Sequence, residues 1–291
     1  MSVPAFTAPE SAGTAPRKLA LSPSRAIDFK QCPLKYRLRA IDRIPEPPSR
    51  MAVRGTLVHA VLEDLFGLPA SERDLDRAAT LIAPAWVRLS AARPELADLI
   101  AVDELEAFFA EARGLVQVYF GLEDPSAFDP QSCEEFIEAE LPDGVPLRGF
   151  VDRIDRSPAG DLHVIDYKTG RAPGPDYETR ALFQLKFYAL VLMYKLGAPP
   201  AQLRLLYLTG GETLTYEPDA EELRRFERIV SALWEAISTA AVTGDFPPSR
   251  SWMCQFCDFK ALCPEFGGTP PPYPSDGADR AVQLSLVTEH P

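Results

Sequence analysis

Gly149-Phe150-Val151-Asp152-Arg153-Ile154-Asp155 and, beyond a turn, Leu162-His163-Val164-Ile165-Asp166-Tyr167-Lys168-Thr169-Gly170 are the stretches that decide the fold. Both are short alternating runs, and Ser157-Pro158-Ala159-Gly160-Asp161 between them is turn chemistry. With residues 134–141 and Pro142-Asp143-Gly144 ahead of them, they predict a three-strand meander over 134–141, 147–156 and 162–168. Side chains alternate across a strand, so Asp166 and Lys168 share a face, and the turn lets Asp152 approach Asp166 across the ladder. Two carboxylates and an ammonium then occupy one surface. Hard oxygen ligands of this kind suit Mg²⁺ or Mn²⁺, and a lysine cation suits a phosphodiester that gains negative charge as water adds. Taken alone, the triplet reads better as a surface ion pair worth a few tenths of a kcal/mol.

Working outward, a helix is expected over 178–196, strands over 202–209 and 213–217 around Gly210-Gly211, and a long helix over 220–242. Upstream, Ser22 or Ser24 caps a helix over 25–40 that stops before Pro45, Pro47 and Pro48. Further helices are expected over 56–66, 72–92 and 97–120, the last two carrying an aromatic stripe of core character. The order of helices, meander, helix, strands and helix means a mixed α/β fold with an N-terminal helical portion. Residues 1–18, and the proline-rich tail from Gly267 to the end, read as disordered.

The formal charge of −12 argues against a protein that coats nucleic acid non-specifically. Charge is segregated, however: residues 24–54 hold eight Lys or Arg against three acids, whereas 101–145 hold twelve acids and only Arg113. The acidic segment reads as a solvated face. No G-x-x-x-x-G-K-[ST] occurs, so the sequence carries no P-loop motor. Nothing approaches a membrane span or a secretory signal, and the chain reads as cytoplasmic.

Four motifs stand in order: Gly55-Thr56-Leu57-Val58-His59, Gly149 to Arg153, Asp166 to Lys168, and Gln184-Leu185-Lys186-Phe187-Tyr188. In order and spacing they resemble the PD-(D/E)xK nucleases of RecB type. The resemblance implies an α/β fold with a restriction-endonuclease-like core, an N-terminal helical portion and a C-terminal iron–sulfur staple. The nuclease unit would span 19–266, with helices over about 56–130, a catalytic sheet over about 131–242 and a cysteine segment over 254–263. It further implies a metal-dependent DNA exonuclease acting on single-stranded or end-opened DNA in recombination or repair. His59, Asp152, Asp166 and the backbone carbonyl of Tyr167 would ligate the metal, and Lys168 would orient water and stabilise the phosphorane. Gln184 and Tyr188, one helical turn apart, would face the active site or DNA phosphates. Arg25, Lys30, Lys35, Arg37 and Arg39 are the expected DNA contacts. Glu138 and Glu140 read as a solvent-facing pair. A second reading is a DNA-binding or scaffolding partner of a helicase or repair complex.

Five cysteines are an odd number, which disfavours a disulfide framework. Cys254, Cys257 and Cys263 have C-x₂-C-x₅-C spacing, and Cys32 lies far upstream. On spacing alone zinc is the safer occupant; the resemblance points instead to a [4Fe–4S] cluster. Cys133 reads as a buried strand cysteine.

Overall fold

The structure, a computed structural model, describes residues 20–172, 174 and 178–278. Ser22 accepts from the Arg25 amide and Pro23 opens α1 (Pro23–Gln31). Pro33 disfavours helical backbone at Cys32, which is extended at φ −161° and ψ 107°. The helix expected over 25–40 is therefore broken into α1, a short α2 (Pro33–Tyr36) and a π-helical turn, Arg37–Ile41. Next, Ser49 caps α3 (Arg50–Phe66), which starts at Arg50 rather than Thr56 as expected. Then come α4 (Leu75–Ala92), capped by Asp74, the short α5 (Glu95–Leu99), and α6 (Leu105–Leu122).

The meander follows as β1 (Ser132–Glu140), β2 (Pro146–Arg156) and β3 (Leu162–Lys168). α7 (Glu178–Leu196) leads to β4 (Gln202–Tyr207), β5 (Glu212–Tyr216) and α8 (Ala220–Thr243), which ends at Gly244 with φ 73°. One sheet runs β1-β2-β3-β4-β5, antiparallel except that β3 and β4 are parallel. A parallel pair needs a crossover, and α7 supplies it.

Both faces of the sheet are covered. Val164, Leu203 and Leu205 pack with α7, α8 and α1, whereas Ile165, Tyr167 and Leu206 pack under α3, α4 and α6. On β3 this alternation puts Asp166 and Lys168 on the α7 side and Tyr167 under the helical portion.

A third, smaller apolar cluster joins Leu34 and Leu38 to Phe259 and fixes the cysteine segment against α2. The expectation of disorder from Gly267 is corrected as far as Ala278. Tyr273 packs its ring on Phe246, donates to the Ala241 carbonyl at 2.7 Å and stacks under Arg37, while Arg37 also donates to the Pro271 carbonyl. Residues 1–18 and 279–291 lie outside the described residues.

Candidate active site

β2 and β3 pair as far as Arg153 and Ile165. There the ladder stops, and the next amide, Tyr167 N–H, donates to the Asp152 carboxylate at 2.6 Å. A side chain takes the place of a backbone partner, and that pins Asp152 beside the D-x-K triplet. α3 brings His59 to the same spot: Nε2 donates to the Tyr167 carbonyl at 3.1 Å and Nδ1 lies 3.5 Å from Asp152 Oδ2. α3 can come this close because residue 55 is glycine, where a Cβ would stand 2.9 Å from Thr169 Oγ1. From α7, the Gln184 amide donates to Asp166 Oδ1 at 2.8 Å and to the Tyr188 hydroxyl at 3.2 Å. Lys168 Nζ pairs with Asp166 Oδ2. Gly149 completes the fit, since a Cβ there would meet Tyr188 Cε1 at 2.7 Å.

Glu134 on β1 was not anticipated; the acids singled out on that strand, Glu138 and Glu140, face solvent as expected. One ligand atom from each of His59, Glu134 and Asp152 lies within 4.8 Å of the others. The β1–β2 register places Glu134 opposite Asp152, since Cys133 pairs with Arg153 and Glu135 with Val151. Its backbone is left-handed at φ 48°, an uncommon conformation for a residue other than glycine and one that collects at functional sites. Register counted from the meander was the signal that could have found it.

Crowded like charges shape the electrostatics. Burial and the Asp152 carboxylate push Glu134 up to about 7. Burial, only partly opposed by Lys168, lifts Asp166 to about 6. Burial would also raise Asp152, yet His59, Lys168 and the Tyr167 amide together hold it below the ordinary carboxylate value. Burial works against a charged His59, but Asp152 overcomes it and raises the imidazole to about 9. Lys168 is likewise raised despite burial, held charged by Asp166 and Asp152. One imidazole and one ammonium thus face three carboxylates, an excess of negative charge suited to a cation.

Behind the site, Arg153 is fully buried. It pairs with Glu123 at 2.8 Å and Asp155 at 3.0 Å, and donates to the hydroxyls of Tyr119 at 3.2 Å and Tyr167 at 2.8 Å. Its guanidinium lies over Phe66 and Phe128. One side chain therefore ties α6, β2, β3 and α3 together behind the carboxylates.

The model of the PD-(D/E)XK nuclease superfamily matches residues 20–264. The chain belongs to that superfamily. Two phage proteins resemble it along most of their length: the Gene 69 proteins of Mycobacterium phages D29 and L5 are each 26% identical, over 84% of this chain and 96% of theirs. A crystal structure from Eubacterium rectale designated "Putative exonuclease" superposes with a TM-score of 0.59 at 14% identity, covering 88% of this chain and 91% of its own. That likeness carries the fold, a PD-(D/E)XK-type mixed α/β sheet flanked by helices.

Within this superfamily fold, the expected basic surface changes character. Arg25 and Arg37 are buried, at 8% and 6% exposure, and Arg37 pairs with Asp42 at 3.0 Å. The expectation that these two contact phosphate is corrected: packing of α1 and the π-helical turn takes them inside. Lys35 and Arg39 both pair with Asp28, at 3.0 and 2.7 Å, and Arg39 also with Glu46. Lys30 is exposed. The acidic segment is not simply a solvated face either, since Glu123 is buried on Arg153 and Glu111 pairs with Arg50 and Arg54. Cys32, Cys254, Cys257 and Cys263 line one cavity of about 60 Å³. Cys133 sits half-buried on β1, its thiol pushed up to about 11 by burial. Among the described residues no helix is long and apolar enough to cross a membrane.

Proposed function

We propose that the chain is a metal-dependent DNA exonuclease that hydrolyses phosphodiesters at the Asp152, Asp166 and Lys168 constellation. The observation that carries this reading is the convergence of His59, Asp152, Glu134, Asp166 and Lys168 at the point where β2 and β3 part. The donor set fits a hard divalent cation: carboxylate oxygens, one imidazole and a backbone carbonyl, with two of the acids held well above their ordinary values by burial and, after it, by the neighbouring Asp152 carboxylate. Bound Mg²⁺ or Mn²⁺ would supply Lewis-acid polarisation of the phosphate and a more acidic water.

His59, Asp152 and Glu134 would hold the cation, together with Asp166 and the Tyr167 carbonyl. Lys168 is kept protonated by its neighbours, so it acts as a fixed positive charge and donor toward the phosphate oxygens rather than as a base. Gln184 holds Asp166 by one oxygen, leaving the other to Lys168, and Tyr188 fixes the Gln184 amide.

Cys32, Cys254, Cys257 and Cys263 are proposed to hold a [4Fe–4S] cluster. Backbone N–H groups already aim at these sulfurs: Ser249 N–H lies 3.5 Å from Cys32 Sγ and Ser251 N–H 3.3 Å from Cys254 Sγ.

The test uses end-labelled single- and double-stranded DNA with Mg²⁺ or Mn²⁺. Asp166→Ala should lose metal affinity and cleavage together. Lys168→Ala should bind metal normally but cleave roughly a hundredfold or more slowly. Wild-type cleavage by Lys168→Ala with metal saturating would return the triplet to a surface ion pair.

A further inference from the structure

Beside the cysteine segment, where it meets α1 and the start of α7, is a cleft of about 270 Å³. Lys30 and Thr179, Arg180, Phe183, Trp252 and Met253 are among its walls, and among the described residues no carboxylate lines it. Lys30 Nζ lies 5.3 Å above the Phe183 ring. Trp252 is 51% exposed and meets Phe256, 66% exposed, edge to face at 6.0 Å. Large aromatics are seldom left this open on a protein surface, and two together beside two cations make a surface of definite chemistry.

The cleft and the catalytic residues share α7. Arg180 precedes Gln184 by four residues on α7, so it stands one turn, roughly 6 Å, along the helix from the side chain that holds Asp166. Aromatic faces flanked by cations, one helical turn from a side chain that holds Asp166, are the chemistry of single-strand binding. Bases stack on the rings, and the sugar–phosphate chain tracks the charges. We infer that this cleft is a base-stacking subsite for single-stranded DNA, in which Trp252 receives an unpaired base while Lys30 and Arg180 hold the adjoining phosphates. The subsite rests on the nuclease reading for its substrate and makes that substrate specifically a single strand. It also gives the cysteine segment a task besides stapling, because the segment presents the stacking ring.

The experiment measures binding without hydrolysis. Full-length protein in EDTA is titrated with a fluorescent oligothymidylate and with an abasic strand of equal length, and anisotropy is read. Trp252→Ala should weaken oligothymidylate binding by roughly fivefold or more while leaving abasic binding nearly unchanged. Trp252→Phe should keep most of the preference. Lys30→Glu with Arg180→Glu should weaken both strands and flatten the salt dependence. An oligothymidylate-to-abasic ratio in Trp252→Ala equal to wild type would overturn the subsite.

Should Trp252→Ala fail to fold, wild-type protein is irradiated with a 5-iodouracil oligonucleotide. Adducts at Trp252 or Phe256 support the subsite, and adducts confined to other regions refute it. Because no step requires cleavage, these outcomes are separate from that of Lys168→Ala, which judges the nuclease reading.

Discussion

At Arg153, Glu123, Asp155 and two tyrosine hydroxyls are all turned toward one guanidinium that has no exposure. Removing one member of a buried ionic group leaves the others charged in a poor solvent, at a cost of about 3–5 kcal/mol. Arg153→Met should therefore lower the unfolding free energy by about that amount in urea denaturation, although the replacement is similar in length and apolar. Arg153→Lys keeps the charge but loses the planar fork that serves four partners, and should fall between the two. A change below about 1 kcal/mol in Arg153→Met would mean that the remaining partners suffice, Arg204 already pairing with Glu123 at 2.7 Å. The methionine variant should also cleave poorly, because the Tyr167 ring that backs the D-x-K strand loses its hydroxyl partner.

At the scale of elements, α7 and β2 meet at Gly149, where even a methyl group is excluded by the Tyr188 ring. Tyr188 is buried and its hydroxyl is held by Gln184, so the ring cannot swing aside freely. Gly149→Ala should cost about 1–3 kcal/mol through overpacking. Cleavage should drop further than stability, since moving Tyr188 moves the amide that positions Asp166. Adding Tyr188→Leu should recover stability without recovering cleavage, a coupling that thermal melts and rate measurements would resolve.

The cysteine segment makes a second prediction at this scale. Purified protein should contain iron and acid-labile sulfide, and Cys32→Ala should remove the visible absorbance near roughly 400 nm and lower the melting temperature. Cys133→Ala should leave the absorbance intact. Zinc without iron would replace the cluster reading.

For the molecule as a whole, the two ends of the described chain meet. Arg37 and Asp42, early in the chain, sit against Pro271 and Tyr273, while Cys32 receives an amide from Ser249. Truncation after Phe266 removes Tyr273 from Phe246 and uncovers the Arg37–Asp42 pair. It should lower stability by about 2–4 kcal/mol, the scale of removing a large aromatic from a partly open core site. Tyr273→Ala alone should reproduce most of that loss, and a truncated protein that melts like the full chain would show these contacts to be incidental.

Strand and helix order was legible in the sequence because each element carries its own period. β3 is found over 162–168 and α7 over 178–196 as read, since alternation, turn residues and helical spacing are local properties. The pairing of Asp166 with Lys168 followed from the same two-residue period. Local signals could not reach the rest. Pro33 breaks the helix by a local effect that the sequence carries, but that Cys32 then lies against Ser249 depends on packing with a segment more than two hundred residues away. Nor could charge runs reveal that Arg37 would be buried on Asp42, or that Glu123, in an acidic segment, would lie against Arg153. Glu134 entered the site only through its register opposite Asp152 and its left-handed backbone. The sequence by itself determined which elements form and which chemistry-bearing residues share a strand face or helix turn, because those follow from backbone geometry. Which charges stay in water, and which acid joins the candidate metal site, was decided only by the tertiary structure, because burial and proximity come from elements distant in the chain.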